Sequence, residues 1–343
     1  MLNIGLVGLG FMAATHLRAY RQVEGARVAA LCNPSGRHLD GDFTNVAGNV
    51  GATDPVVLDM AGVKATKRFT ELLADPDLHA IDICAPTKAH AELAIAALQA
   101  GKHVLCEKPL ARTSAAAKQI VDAAAKARGI FMPAMCLRFW PEWAWLKEAI
   151  AAGRYGKVLA ARFRRVAEPP GWGRNNFFNG AESGGALFDL HVHDTDFVNF
   201  CFGRPRCVFS SGYQKFSGAI DHVVTQYDVP GDAIVHAEGS WAMTPGFGFN
   251  MSYTVNFERA TADYDIARGK EALKLSEEGQ LPRVVAMPVE PSDGYVGELR
   301  HFVECVRSGK ASSVVTTRDG LASVEICEAE ERSVNSRQIV TVH

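Results

Sequence analysis

The sequence lacks the features that mark secreted, membrane and nucleic-acid-binding proteins. Its eight cysteines are scattered without any C-x-x-C pair, which argues against a zinc or redox pair of that kind and predicts buried thiols in a reducing compartment. No apolar stretch is long enough to cross a bilayer, and no charged leader precedes the first predicted strand. The net charge of −2, without a polybasic tract, gives no reason to expect nucleic-acid or membrane partners. We therefore expect a cytoplasmic protein.

The chain is long enough for two domains, and its patterning changes once. Of its 343 residues 48% are hydrophobic and 22% charged, an ordinary globular mixture. Residues 1–128 alternate short β-rich runs with amphipathic segments, which predicts βαβ units and a parallel sheet. Two of the predicted elements are the helix Ala14–Gln22 and the strand His103–Glu107. In residues 129–343 a helix is predicted at Pro141–Ala151, and strand-like runs follow one another from Cys207 onward without helices between them. This second region therefore predicts an α+β domain with a large, mainly antiparallel open sheet.

A glycine motif opens the chain directly after the first predicted strand and before a helix. It has the form G-x-G-x-x-A, with Phe11 and Met12 between the second glycine and the alanine. Gly8 permits a tight turn, Gly10 lets the backbone approach a pyrophosphate, and small Ala13 lets the helix pack closely on the strand. The motif predicts a doubly wound dinucleotide-binding Rossmann domain at residues 1–128.

The next strand ends at Asn33, where an NAD-specific fold usually carries an acidic residue for the ribose hydroxyls. Ser35 and Arg37 follow, so a 2′-phosphate would meet no carboxylate and could meet a guanidinium. The alternative is that Arg37 is a solvated loop arginine. We expect the cofactor to be NAD or NADP. The Gly/Asp/Asn-rich segment Asn33–Lys67 predicts an excursion from the sheet.

A single lysine follows another short apolar strand. The run from Val104 to Glu107 delivers Lys108 at its carboxyl end, just before Pro109. In an open parallel sheet, cofactors and substrates bind outside the carboxyl ends of the strands. Lys108 is therefore a candidate active-site residue, and a simple Lys-Pro turn is the alternative interpretation.

Residues 184–196 allow two interpretations. As a strand, Asp189, His191 and His193 would share one face, as in the metal site of a zinc amidohydrolase. As a helix, Asp189 and His193 fall at i and i+4 on one face, and His191 points about 200° away from His193 at ~100° per residue.

The surrounding pattern favours the helix. Apolar residues from Leu187 to Cys201 recur at helical spacing, and Gly203-Arg204-Pro205 is a helix stop. An imidazole with a carboxylate one turn away is a general base with its orienting group. A histidine that is only part of the core is the alternative.

Three motifs in chain order make the sequence resemble the Gfo/Idh/MocA oxidoreductases, named for glucose-fructose oxidoreductase and inositol dehydrogenase. They are Gly8-x-Gly10-x-x-Ala13, Glu107-Lys108-Pro109, and Gly184-Gly185-Ala186-x-x-x-Asp189-x-x-x-His193-x-x-Asp196. Secondary matches are Pro86-Thr87-x-x-His90, Arg138-Phe139 and Tyr295-x-x-Glu298-x-x-x-Phe302. Together they span nearly the whole chain.

The resemblance implies a Rossmann domain joined to an α/β domain whose open sheet often forms an oligomer interface. It implies NAD(P)-linked oxidation or reduction of a sugar or polyol, with Lys108, Asp189 and His193 at the catalytic positions. Other residues fall where family members shape the turn or contact the cofactor: Glu107, Pro109, Pro86, Thr87 and His90. The residues expected to bind substrate are Lys108, Arg138, Trp172, Asp189, His193 and Tyr295.

We therefore predict a dehydrogenase or reductase that transfers hydride between nicotinamide and a secondary hydroxyl or carbonyl of a carbohydrate-like substrate. His193, oriented by Asp189, takes the hydroxyl proton, and Lys108 stabilises charge on the reacting oxygen. His191 stands where many members carry glycine, which predicts an added contact near the substrate. We expect no bound metal and a homodimer or homotetramer formed through the C-terminal sheet. The alternatives are a non-catalytic dinucleotide-binding sensor and a zinc amidohydrolase that uses His191 and His193.

Overall fold

The computed structural model describes residues 1–48, 54–173, 177–288 and 293–343, and it divides into two compact units. The first comprises Met1–Phe139 and Pro291–Leu321, and the second Trp140–Glu290 and Ala322–His343. The first unit thus extends past the predicted boundary at 128/129 and includes residues 291–321 from late in the chain. The domain boundary at 128/129 stays a prediction.

The first unit is built on a six-stranded parallel sheet in the order β3-β2-β1-β4-β5-β6. Its strands are β1 (Leu2–Val7), β2 (Ala26–Cys32), β3 (Lys64–Thr66), β4 (Ala80–Ile83), β5 (His103–Glu107) and β6 (Phe131–Ala134). Its helices are α1 (Phe11–Tyr20), α2 (Phe69–Ala74), α3 (Thr87–Gln99) and α4 (Ser114–Ala124). This strand order is that of the Rossmann fold, and it brings the carboxyl ends of β1, β4 and β5 side by side.

The late segment adds helix α8 (Gly294–Ser308) to the first unit, where it packs beside α1. The side chain of Asp293 accepts hydrogen bonds from the backbone N–H groups of Tyr295 and Val296, both at 2.9 Å, and so caps the start of the helix. Gly309, with φ of +67°, ends it.

The second unit carries a nine-stranded mixed sheet in the order β14-β13-β12-β11-β7-β10-β9-β8-β15. Only β7 and β10 pair in parallel among its described strands. The strands are β7 (Val158–Ala167), β8 (Cys207–Tyr213), β9 (His222–Asp228), β10 (Ile234–Ser240), β11 (Phe249–Phe257), β12 (Ala260–Asp265), β13 (Leu273–Glu277), β14 (Arg283–Val284) and β15 (Val340–Thr341).

Helices pack on one face of this sheet. They are α5 (Pro141–Ala151), the single turn α6 (Gly180–Ser183), a π-helical turn at Leu187–His191, α7 (Val192–Phe202) and α9 (Thr317–Ser336), whose first residues belong to the first unit. Trp143 of α5 is fully buried against Phe163, Phe197 and Tyr253, with ring centroids 4.8–5.8 Å apart. This aromatic cluster joins the helices to the sheet.

The predicted fold class is confirmed, with local differences. α1 begins at Phe11 rather than Ala14, and the excursion from the first sheet ends earlier than expected because Lys64–Thr66 forms the edge strand β3. The short strands β13, β14 and β15 were not expected. Among the described residues no helix combines the length and apolarity that a membrane span requires.

Candidate active site

The glycine turn has the geometry that the motif predicts. Gly8 has a φ of +83°, donates its N–H to the carbonyl of Cys32 at 3.0 Å, and leaves no room for a side chain, because a Cβ would lie 2.5 Å from the backbone nitrogen of Ala85. A Cβ on Gly10 would meet nothing within 4 Å. Ala13 is completely buried. The turn therefore leaves open space in front of the first N–H groups of α1, which suits a pyrophosphate.

The first two residues of α1, Phe11 and Met12, are half-buried. The ring of Phe11 lies directly against the backbone of Gly48, so the described part of the 33–67 excursion packs back onto this helix. Arg18 of α1 also donates two hydrogen bonds to the carbonyl of Asp54, at 3.0 and 2.9 Å. The excursion is thus fastened along the helix that follows the glycine turn.

At the end of β2, Asn33 and Ser35 stabilise their own loop. The Asn33 side chain donates to the carbonyl of Arg37 at 2.9 Å and accepts from the Ser35 N–H at 3.3 Å, and the Ser35 hydroxyl accepts from the Arg37 N–H at 3.3 Å. The Arg37 side chain is exposed, and the exposed Lys67 lies against Gly36 of the same loop. This loop offers positive charge and no carboxylate of its own.

Pro86, Thr87 and His90 surround the start of α3. Pro86 precedes the helix and Thr87 is its first residue. His90 is 1% exposed, and its two ring nitrogens lie 2.8 Å from the carbonyl oxygens of Ala85 and Pro109. His90 therefore lies between the two loops that follow β4 and β5. As a neutral imidazole it donates a hydrogen bond to one of the two carbonyls at a time.

Lys108 follows β5 at the same sheet edge as the glycine turn, and its peptide bond to Pro109 is cis. The side chain of Lys108 is half-buried, whereas Glu107 and Pro109 on either side are buried. The Glu107 carboxylate accepts a hydrogen bond from the backbone N–H of Lys108 at 3.1 Å. Glu107 thereby holds the turn that presents the lysine.

A buried network continues from Glu107. Its Oε1 lies 3.1 Å from Nε2 of His16, whose Nδ1 lies 2.8 Å from Oδ2 of Asp82, and the Tyr20 hydroxyl donates to that same oxygen at 3.0 Å. Burial lowers the pKa of His16, but the charges of Asp82 and Cys84 and their hydrogen bonds to the ring together outweigh it, and the net pKa is well above the ordinary value. Burial raises the pKa of Glu107, but the hydrogen bond and charge of His16, together with the charges of Lys108 and His90, outweigh this and the net pKa is lowered. His16 is thus a cation between two carboxylates.

Glu298 of α8 completes this network. It is completely buried, and within the described residues neither carboxyl oxygen has a hydrogen-bond partner. Burial, and then the charge of Glu107, raise its pKa well above the ordinary range. This shift favours the protonated form of Glu298 beside the charged pair. The described residues contain two side-chain groups close enough to hold a metal, and both belong to this network: His16 with Asp82 and Cys84, and His16 with Glu107 and Glu298.

In the second unit, the segment that carries Asp189 and His193 is helical. A π-helical turn, Leu187–His191, runs directly into α7, which ends at Gly203 as the sequence predicts. Asp189 and His193 are both partly exposed, whereas the intervening Leu190, His191 and Val192 are buried. The carboxyl and the imidazole thus lie on the accessible side of one helix.

The expected substrate contact of His191 is wrong. Its side chain is 0% exposed, and its Nε2 lies 3.2 Å from Oε1 of Glu330 and 3.1 Å from the Tyr227 hydroxyl. On a helix it points away from His193, so the two imidazoles do not form a metal site. The strand interpretation and the zinc site built on it fail together.

The remaining predicted substrate residues differ in placement. Arg138 is 3% exposed and donates to the Val314 carbonyl at 2.7 Å, with the Asp319 carboxylate at 3.3 Å, so it ties parts of the first unit together. Tyr295 is buried, with its ring centroid 6.4 Å from that of His16. The side chain of Trp172 lies outside what the structure describes. Whether these residues bind substrate stays a prediction.

Sequence patterns missed three buried residues next to the candidates: His16, Asp82 and Glu330. His16 and Asp82 lie in apolar surroundings at the middle of α1 and β4, and a polar residue at a buried position was the available signal.

Comparison with known proteins agrees with this geometry. The family model for the Gfo/Idh/MocA oxidoreductases with an NAD-binding Rossmann fold matches residues 2–135, and the model for the C-terminal domain of the same family matches residues 143–263. The first unit is therefore the NAD-binding domain of an oxidoreductase. The chain belongs to the Gfo/Idh/MocA family.

Curated relatives include several sugar and polyol enzymes. Levoglucosan dehydrogenase of Pseudarthrobacter phenanthrenivorans is 31% identical over 59% of this chain and 52% of its own length. Inositol 2-dehydrogenase of Streptomyces avermitilis is 26% identical over 100% of this chain and 94% of its own. 1,5-Anhydro-D-fructose reductase of Ensifer adhaerens is 39% identical over 40% of this chain and 41% of its own.

Among solved structures, levoglucosan dehydrogenase in complex with NADH superposes with a TM-score of 0.84 over 100% of this chain and 99% of the other, at 22% identity. At that identity the similarity establishes the fold. Family membership identifies an NAD-binding dehydrogenase or reductase and goes against both the sensor and the amidohydrolase interpretations.

Proposed function

We propose that this protein oxidises a secondary hydroxyl of a sugar, polyol or related carbohydrate, or reduces the corresponding carbonyl. The observation that carries the proposal is the Lys108 turn, which lies at the same sheet edge as the glycine turn and is held by the buried Glu107 carboxylate. A catalytic lysine must be held in a fixed position before the reaction, and the buried Glu107 carboxylate holds the turn of this partly exposed lysine. The relatives named levoglucosan dehydrogenase, inositol 2-dehydrogenase and anhydrofructose reductase support the substrate class.

The proposed roles follow from the chemistry of each group. A nicotinamide cofactor, when bound, would supply the hydride acceptor or donor. His193 takes the hydroxyl proton during oxidation, with Asp189 orienting its ring, because an imidazole exchanges protons near neutral pH. Lys108 donates a hydrogen bond to the reacting oxygen and stabilises the negative charge that develops on it.

Gly8, Gly10 and the N-terminus of α1 would hold the cofactor at the glycine turn, with Thr87 at the start of α3 along the same sheet edge. We propose that NADP is accepted at least as well as NAD. Asn33 brings no carboxylate to repel a 2′-phosphate, its loop carries the exposed Arg37, and the exposed Lys67 lies against Gly36 of that loop.

The test is a spectrophotometric panel of sugars, polyols and sugar acids with NAD and NADP, followed by His193→Ala on the best substrate. Loss of general-base assistance should lower kcat by roughly 10²- to 10⁴-fold. Cofactor affinity, measured by fluorescence titration with the reduced cofactor, should barely change. Near-wild-type turnover with an unaltered pH profile would show that the histidine is structural.

We also propose a homodimer or homotetramer formed through the sheet of the second unit. Three adjacent strands expose apolar side chains on one face, with Phe209 43%, Val224 39% and Ile234 61% exposed. Such a patch suits an interface between copies.

We propose a cytoplasmic location as well, because all eight cysteines are free thiols.

A further inference from the structure

One turn of the helix that carries Asp189 and His193 is irregular. Residues Leu187–His191 form a π-helical turn, and α7 continues it from Val192. A π turn accommodates one residue more than the α-helix would, and such turns are rare and frequently lie at functional sites. If this turn relaxed to an α-helix, everything before it would rotate by about 100° relative to α7. The π turn therefore sets the direction of Asp189 relative to His193.

Four side chains from four elements meet beneath this turn. His191 comes from the π turn, Thr195 from α7, Tyr227 from β9 and Glu330 from α9. The Glu330 carboxylate accepts from the Tyr227 hydroxyl at 2.5 Å and from the Thr195 hydroxyl at 3.2 Å, and it lies 3.2 Å from Nε2 of His191. The side chains of His191 and Glu330 are both 0% exposed.

Burying the Glu330 carboxylate costs free energy of folding, which its hydrogen-bond partners must offset. An ionised carboxylate without water is tolerated only where hydrogen bonds and charge replace its hydration. Burial, and then the charge of Glu330, raise the pKa of Tyr227 well above its ordinary value, so the phenol keeps its proton and donates it. The donors to Glu330 are thus fixed, and His191 is fixed with them.

The opposite side of His191 is closed by backbone. A Cβ on Gly239 of β10 would lie 2.6 Å from Nδ1 of His191, so the strand approaches the ring as closely as a glycine allows. Other titratable groups of the described residues near His191 and Glu330 are His222, Cys327 and Asp194, and Asp194 is paired with Arg165 at 2.8 Å. The Nε2 edge of the imidazole thus contacts polar groups, whereas its Nδ1 edge packs against backbone and has no hydrogen-bond partner within the described residues.

We propose that Glu330 and Tyr227 are positioning residues that hold His191, and through it the π turn, in the register that aims Asp189 and His193 at the substrate. The inference rests on the proposed roles of Asp189 and His193. It also assigns His191 a function that is not substrate contact.

The test compares Glu330→Gln with Glu325→Gln, a matched change on the same helix. Glu325 is partly exposed and pairs with Arg204 at 2.9 Å near the surface, so its loss should leave kcat within twofold of wild type. Glu330→Gln removes the buried charge in nearly the same shape. Misplacement of a catalytic group by about 1 Å can cost 10²-fold, so we expect kcat to fall about 10- to 100-fold with cofactor Kd unchanged. The pH profile of kcat should shift as well.

Two further measurements separate the possible failures. Tyr227→Phe removes one donor without altering charge and should give a smaller loss of the same kind, which keeps the test open if Glu330→Gln does not fold. A crystal structure of either variant should show residues 187–191 rearranged. A Glu330→Gln protein with an intact π turn, wild-type kcat and an unshifted pH profile would overturn the inference. Rearrangement of the turn without loss of activity, together with an active His193→Ala enzyme, would instead refute the proposed catalytic roles.

Discussion

Replacing Glu298 with glutamine should make the stability of the first unit fall less steeply as pH rises, although the change removes a fully buried acid. Glutamine has the shape of the protonated carboxyl and cannot ionise. The folded pKa of Glu298 is raised well above the ordinary 4.5, so the stability that its proton confers is fully present below that pH and is lost as pH rises toward the folded pKa. Within that window the loss is about 1.4 kcal/mol per pH unit, and Glu298→Gln should remove it.

The neighbouring groups define where to measure. The folded pKa of His16 is also raised, so its contribution is complete below about pH 6.5 and declines as pH rises through the folded pKa. Glu107 acts in the opposite direction, because its folded pKa is lowered from 4.5 and its contribution is lost as pH falls. Between pH 5 and 6.5, roughly, the slope difference between wild type and Glu298→Gln is therefore due chiefly to Glu298.

The assay must report on the first unit. All five tryptophans lie in the second unit, so intrinsic fluorescence follows the wrong part of the chain. Hydrogen exchange of peptides from β5 and α8, measured from pH 5 to 8 and corrected for intrinsic rates, reads the first unit directly. Glu304→Gln, an exposed position on α8, is the matched control. Parallel stability curves for wild type and Glu298→Gln would refute a protonated Glu298.

Two predictions concern the cofactor. Gly10→Val should abolish dinucleotide binding in fluorescence titration and leave the melting temperature nearly unchanged, because the new side chain enters open space. Gly8→Ala should instead lower the melting temperature, because residue 8 has a φ of +83° and its Cβ would contact Ala85. Equal cofactor affinity in wild type and Gly10→Val would contradict the first expectation. Arg37→Ala should lower kcat/KM for NADP by roughly tenfold or more and leave that for NAD unchanged, as expected when one charge-assisted hydrogen bond is lost. A strong NAD preference unaffected by Arg37→Ala would refute the phosphate role.

The features of the fold that repeat locally could be predicted from the sequence. The strand His103–Glu107 and the helix Pro141–Ala151 have the predicted bounds, because a buried apolar run and a proline-initiated amphipathic run are complete within their own residues. The edge strand Lys64–Thr66 could not be found this way. Two of its three residues are exposed, so it has no apolar pattern and exists only because β2 offers it a partner. The return of residues 291–321 to the first unit is likewise decided by distant packing.

His191 shows where local periodicity stops being informative. Helical spacing gives its direction, about 200° from His193, and that direction is the core. It does not give the partner, Glu330, which lies 139 residues further along the chain. A signal nevertheless existed, since Ile326, Glu330 and Ser333 share the buried stripe of α9, and an acid at such a position needs a buried donor. A histidine and an acid that both lie at buried positions each require a polar partner. Matching such residues with one another along a sequence therefore predicts contacts that periodicity alone does not.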